Sequence, residues 1–267
     1  MDVGSGYKMN FRFETGGIDS EGGVNRDPDT GESGPFFRRQ AWLGVSGGFG
    51  EARLGRQDSV PFQVMGEYDF NGQSNGVSAL GYSLVAPWLP GRQSRSLQYI
   101  TPTFGPVKAH FGFVPKGNRG PNAKAVVSAA AKVNLGDLSA AVAYQSKDSS
   151  ATKDFASIAG SYDFKVVKVS LGYADGGKFA SGGTGHGPSL GVNVPIGSFN
   201  VGAHYGQNLD DDLKIRSVEV YANYEVFKNT YAYVEAGNWK TSLAVNPLDA
   251  AAKTKGTGYA VGVIFVF

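Results

Sequence analysis

The chain has 267 residues, a formal net charge of +2 and no cysteine. Those three facts exclude a disulfide framework, a thiol nucleophile and a thiolate metal site, and they leave no charge excess that calls for a nucleic-acid partner. Hydrophobic residues make up 41% of the chain, yet no apolar run approaches the 18 or so residues of a transmembrane helix. Passage through a membrane therefore falls to strands, which satisfy all their backbone groups in lipid only as a closed barrel.

The chain opens Met1-Asp2-Val3-Gly4 with neither a basic segment nor an apolar stretch after it, so the signal peptide that a secreted protein needs is expected either to have been removed or to lie upstream of a late start. A tight turn is expected over 2–6. Tyr7, Met9, Phe11 and Phe13 then share one face, and Lys8, Asn10, Arg12 and Glu14 share the other. This period of two marks a strand with one apolar and one wet side. The same pattern predicts strands over 4–15, 36–46, 51–57, 93–103, 107–115, 123–134, 138–146, 155–162, 165–174, 187–195, 198–207, 214–226, 229–238 and 256–267. The last of them carries Tyr259, Val261, Val263, Phe265 and Phe267 on its apolar face.

Connections alternate in length. Gly47–Gly50, Phe104–Pro106, Leu135–Asp137, Asp163–Phe164, Ile196–Gly197 and Phe227–Lys228 are tight, while 16–35, 58–92, 116–122, 147–154, 175–186, 208–213 and 239–255 are long. A soluble sandwich has no reason to sort its loops by parity, whereas an outer-membrane barrel does. Aromatics such as Tyr7, Tyr99, Phe104, Tyr144, Tyr162 and Tyr224 fall near strand ends, as two interfacial girdles require. The expectation is an all-β, antiparallel up-and-down transmembrane barrel of about 14 strands, one domain over 1–267.

The run Phe37-Arg38-Arg39-Gln40-Ala41-Trp42-Leu43-Gly44-Val45-Ser46-Gly47, followed by Gly48-Phe49-Gly50 and Leu54-Gly55-Arg56-Gln57, resembles the general porins of Gram-negative outer membranes, most closely their β-proteobacterial branch. Ser96-Leu97-Gln98-Tyr99-Ile100-Thr101-Pro102-Thr103-Phe104-Gly105 and the terminal Phe267 extend the resemblance over essentially the whole chain. It implies sixteen strands, a homotrimer, a third loop folded into the lumen, and a C-terminal aromatic, Phe267, read by the barrel-assembly machinery. Two features depart from the pattern. Asp2-Val3-Gly4-Ser5-Gly6 matches the turn between the family's second and third strands, which is explained by about two strands missing upstream or by a genuinely fourteen-stranded pore; an internal start is the preferred expectation, because a barrel must close. Ile264 and Val266 are apolar at positions where the family faces water.

With the apolar faces toward lipid, Lys8, Arg12, Arg38, Arg53, Arg92, Lys108, Lys124, Lys132 and Lys168 are expected to line water, opposed by Glu14, Glu51, Asp163, Glu219, Glu225 and Glu235. Basic residues gather toward the first strands and acidic ones toward the last, which would set a field across the interior. Loop 58–92, folded inward as the resemblance implies, would present Glu67 and Asp69 to Arg38, Arg53 and Arg92. Arg39, Arg56 and Arg95 share the lipid-facing parity; near strand ends they could snorkel, or bulges could turn them inward. Small inward residues (Gly44, Ser128, Ala130, Ser139, Ala141, Gly191, Gly202) argue for an open interior.

Catalytic chemistry is not indicated. His110, His186 and His204 have no ligand spacing, so no metal or cofactor is expected. Asp210-Asp211-Asp212 fits a solvated turn better than a cation site. The expected function is a non-enzymatic channel in the Gram-negative outer membrane, passing small hydrophilic solutes and ions by diffusion with a mild anion preference. Its partners would be those solutes, outer-membrane lipid and lipopolysaccharide, and two further copies of itself. The alternatives are a substrate-specific channel, a structural or adhesive barrel with a plugged lumen, and a soluble β-protein.

Overall fold

A computed structural model describes residues 2–17, 34–72, 77–89, 91–117, 120–149, 153–178, 184–210, 214–241 and 255–265. Its strands are β1 (Asp2–Gly4), β2 (Tyr7–Glu14), β3 (Gln40–Gly47), β4 (Gly50–Asp58), β5 (Arg92–Ile100), β6 (Val107–Val114), β7 (Val126–Leu135), β8 (Leu138–Gln145), β9 (Phe155–Asp163), β10 (Lys168–Lys178), β11 (Thr184–Ile196), β12 (Phe199–Gln207), β13 (Ile215–Phe227), β14 (Thr230–Thr241) and β15 (Lys255–Phe265). They form one sheet in sequence order, each strand antiparallel to the next, with β1 and β15 at its two edges. All fourteen expected strands are present, and β1 adds a short fifteenth that pairs with Tyr7 and Lys8 across the opening turn. Tight turns use the left-handed region, with glycine at Gly136 and Gly197, both at φ +61°. Val266 and Phe267 lie outside the described residues, as do Asp211, Asp212 and most of the loops at 16–35 and 239–255.

The outward face is apolar along its length: Phe11, Leu54, Ile158, Leu171 and Val261 are all more than half exposed. The inward face is covered by the connection from β4 to β5. That connection carries α1 (Val60–Met65), a 3-10 turn at Gly66–Tyr68, and α2 (Ala79–Ser83). Ser59 and Ser78 cap the two helices, accepting from the Phe62 amide at 3.1 Å and the Gly81 amide at 2.9 Å. Helix α1 packs on β6–β9 and α2 on β12–β14.

Those contacts require a curled sheet. Laid flat, β12 would stand roughly 38 Å from β4 at about 4.8 Å per strand. The twelve residues from Asp58 to Phe70 include α1 and the 3-10 turn and reach only about 30 Å, yet the Phe70 amide donates to His204 of β12 at 3.0 Å. Hence the sheet wraps round the loop, in the manner of a barrel wall.

The small inward residues prove to have another use. Ala130, Ala141, Ala143 and Ala159 are buried beneath Val60, Val64, Met65, Tyr68, Leu80 and Trp88 of the loop, and together these make the protein's apolar core. Ser128 is buried as well. The expectation that small wall residues leave an open interior is therefore corrected for this stretch of wall: they make room for the loop. Wall serines also donate to carbonyls of the loop. Ser157 donates to Pro87 O and Ser170 to Tyr68 O, each at 2.8 Å, and Ser217 donates to Ala79 O. At Gly206 a Cβ would collide with the Ser83 side chain, and at Gly237 with Val77.

Gly206→Val should therefore loosen the loop while the barrel still folds. A cost of about 1–3 kcal/mol, typical of overpacking, should appear as faster proteolysis within 59–91 and an unchanged strand signal in circular dichroism. Unaltered proteolysis would show that the loop does not depend on this close approach.

Candidate functional site

Where the loop leaves the wall near β2–β5, a polar recess of about 310 Å³ remains, lined by Arg12, Glu14, Arg39, Gln40, Asp58, Phe62, Gln63, Gly66, Glu67 and Arg92. Glu14 pairs with Arg12 at 3.1 Å and with Arg39, and accepts from Gln40 at 2.9 Å. Asp58 pairs with Arg92 at 3.1 Å and accepts from Gln40 at 3.0 Å. The Arg92 guanidinium lies 5.5 Å from the Phe62 ring. Glu67 is claimed from across the interior by Lys132 of β7 and by Ser139 of β8, at 2.9 Å for the latter. With that pair set aside, three guanidinium groups face two carboxylates, a surplus of one positive charge.

Several expected lining residues stand elsewhere. Arg38 precedes β3, which starts at Gln40, and is exposed; the chain turns and bends over residues 36–39, so strand parity does not extend to it. Arg39 takes the place in the recess that parity assigned to Arg38. Lys124 likewise precedes its strand, β7. Arg53 lies inside but is tied down, donating to Glu51 at 2.7 Å and Gln63 at 3.2 Å with its guanidinium 4.4 Å over Trp42. Lys8 and Lys108 are exposed, on the inward-parity positions expected of them.

The loop carboxylates do not meet the arginines as expected. Asp69 is 3% exposed and accepts from Trp88 Nε1 and from the Asn71 amide, both at 3.1 Å. Burial pushes its carboxyl up to about 6, with the charge of Glu219 adding to the rise. Glu219 and Glu235 are also buried rather than facing water. Glu235 accepts from the Val77 amide at 2.9 Å and from Asn71 Nδ2 at 2.6 Å; Glu219 accepts from the Ala79 amide. Two of the acids expected to line water, Glu219 and Glu235, are thus consumed in holding the loop, while Glu225 stays exposed.

His204 completes that anchor. Its Nε2 accepts from the Phe70 amide at 3.0 Å, so the ring proton sits on Nδ1, which faces Glu219 at 3.1 Å and Asp69 at 3.6 Å. Asp69, His204 and Glu219 approach closely enough to hold a metal ion. A metal on Nδ1 would force a proton onto Nε2 and against the Phe70 N–H, so the tautomer argues for an anchor instead. His204 pairs directly with Glu219 across β12 and β13, a register that alternation alone does not reveal.

Comparison with known proteins bears on this geometry. Residues 1–243 match the model of the Gram-negative porin family. The chain belongs to that family. An outer membrane porin protein of Bordetella pertussis is 27% identical over 219 residues, covering 73% of this chain and 54% of the relative. Outer membrane porin protein 32 of Delftia acidovorans is 33% identical over 121 residues, covering 42% of this chain and 31% of its own. The chain thus spans about half the length of the first relative and a third of the second. An anion-selective porin from Comamonas acidovorans superimposes with a TM-score of 0.77 at 23% identity, covering 100% of this chain and 87% of that one. The fold is that of a porin barrel, and the protein is one of the Gram-negative outer membrane.

His204→Ala should free the Phe70 amide and remove one of the donors on Glu219. Losing buried hydrogen bonds of this kind costs about 2–3 kcal/mol. Hydrogen exchange at the Phe70 and Asn71 amides should therefore quicken roughly 30- to 150-fold, while amides of β7 and β8 stay protected. Uniform loss of protection across the barrel would refute a local anchor.

Proposed function

We propose that this porin forms a water-filled channel through which small hydrophilic solutes and ions diffuse passively, with a mild preference for anions. The observation that carries the proposal is the imbalance in the lumen. Arg12, Arg39 and Arg92 converge on a wet recess, whereas Asp69, Glu219 and Glu235 are buried against loop amides. An anion in the recess meets a surplus of guanidinium, which stays charged at every working pH. Exposed Lys8 and Lys108 extend the basic wall. Assembly as a homotrimer, in contact with outer-membrane lipid, is part of the same proposal and rests on family membership. The Comamonas relative is described as anion-selective, which agrees with the sign proposed here.

Single-channel recording of the purified protein in a salt gradient tests conductance and sign together. A unit charge about 7 Å from a permeating ion is worth roughly 0.6 kcal/mol in water, less after screening. The double variant Arg39→Gln, Arg92→Gln should therefore move the anion-to-cation permeability ratio about two- to five-fold toward cations. An unmoved reversal potential would remove both arginines from the selectivity mechanism, and a flat trace for the unaltered protein would favour a plugged barrel.

A substrate-specific channel is the second reading, favoured by three guanidinium groups beside one aromatic ring in a single recess. Conductance that saturates with one small carboxylate, and not with chloride, would select it.

A further inference from the structure

The inward side of β14 and β15 takes no part in the basic recess. Tyr231, Tyr233 and Trp239 of β14 pair directly with Ile264, Gly262 and Gly256 of β15. The one charged residue on this strip, Glu235, is buried and engaged by the loop. Where β15 carries glycine, rings fill the space. A Cβ at Gly262 would lie 2.6–2.7 Å from Oη, Cε1 and Cζ of Tyr233, and one at Gly256 would lie 2.5–2.8 Å from Nε1, Cε2 and Cζ2 of Trp239. Both rings are therefore laid over the backbone of β15. At the level of Gly258 the ring comes from the loop instead: Tyr82 of α2 brings its Oη to 3.8 Å from the Cβ position. Aromatic side chains thus stand at four of five successive inward levels, over about 27 Å of strand. Ile264, apolar where the family faces water, ends the strip.

The polar edges of these rings are unused. Tyr82, Tyr231, Tyr233 and Trp239 are half-buried and make no hydrogen bond among the described residues. Tyrosines that serve the wall and the loop behave differently. Tyr68 is buried with its hydroxyl 3.0 Å from Ser139 Oγ, and Tyr221 is buried and donates to Asn193 at 2.9 Å. Beside the free rings, in direct register, stand Asn223 next to Tyr233 and exposed Glu225 next to Tyr231. An inorganic ion has no use for the rings, and a purely apolar solute has none for the hydroxyls. A pyranose uses both. Its C–H face packs on an aromatic ring, while its hydroxyls, donors and acceptors at once, meet tyrosine Oη, amide and carboxylate.

We propose that Trp239, Tyr82, Tyr233 and Tyr231 form a track for sugars, along which a linear glucose oligosaccharide moves from ring to ring, separate from the arginines of β2–β5. The track is reached through a water-filled lumen, so the inference rests on the channel reading.

The test measures binding and conduction on the same full-length protein, with maltotriose as the ligand. In detergent, saturation-transfer NMR should mark the ring protons of the sugar as bound. In planar bilayers, added maltotriose should reduce the ion current saturably. The double variant Tyr231→Ala, Tyr233→Ala should raise the half-blocking concentration about ten-fold or more, and Tyr82→Ala, which leaves the barrel wall untouched, about three-fold. Tyr231→Phe, Tyr233→Phe keeps the rings and should lose less than the alanine pair. An open channel with no saturation transfer and no saturable block would overturn the proposal and leave the channel reading standing. A flat trace with saturation transfer intact would remove the channel reading alone. Equal block in all variants would overturn the track, and saturable block by benzoate but not by maltotriose would replace the sugar with a planar acid. Unchanged circular dichroism and heat-modifiability of each variant are the control for folding.

Discussion

A backbone that crosses the inside of a barrel must find partners for its amides and carbonyls there, because the strands have already spent theirs on one another. In this porin the crossing segment is the loop between β4 and β5, and much of the inward face is organised around that requirement. Two short helices satisfy part of the loop internally. Serines of β9, β10 and β13 take three of its carbonyls, and Glu219, Glu235 and His204 take the amides of Ala79, Val77 and Phe70. The alanines beneath α1 and the glycines opposite Ser83 and Val77 follow from the same need, since larger side chains would hold the loop off the wall.

Alternation made the barrel legible. A side chain facing lipid and its neighbour facing water differ in polarity along strand after strand, so Tyr7–Glu14, Val107–Val114 and Ile215–Phe227 could be read with few errors at their ends. The purpose of the inward residues was less legible, for a physical reason. A serine that lines water and a serine that caps a buried carbonyl look alike in sequence, and so do an alanine that widens a lumen and one that seats a helix. Which use applies depends on contacts some 60 to 100 residues away, such as Ser157 with Pro87 and Ser170 with Tyr68. Glu219 and Glu235 were legible as inward carboxylates, but not as buried ones.

Parity also fails where the backbone departs from a regular strand. Arg38 was placed on the wall by alternation with the apolar face, but the chain turns before Gln40 and delivers Arg39 instead. A bulge in β5 inserts one residue opposite Arg56: Arg95 keeps the outward side its parity gives, and it is Ser94 that departs, exposed where alternation would point it inward. Both irregularities sit at the loop end of a strand, where the ladder is no longer continuous. Counting by two is reliable inside the ladder and weak at its ends, which is where the arginines gather.

The loop and the charge of the interior are therefore one problem. A buried carboxylate is tolerated only when donors surround it, and the acids that anchor the loop are answered by backbone amides, by Asn71 or Trp88 and, at Glu219 and Asp69, by the His204 ring. Glu67, the exposed acid of the loop, is matched by Lys132. The arginines of the recess are paired as well, with Glu14 and Asp58, but they outnumber those acids by one and line a space open to water. A loop that fastens itself with acids on the β12–β14 side removes negative charge from the space that solutes could use and leaves arginine on the β2–β5 side. The sign of the proposed selectivity is thus a by-product of where the loop is tied down, and it requires no arginine beyond those that the strand ends already supply.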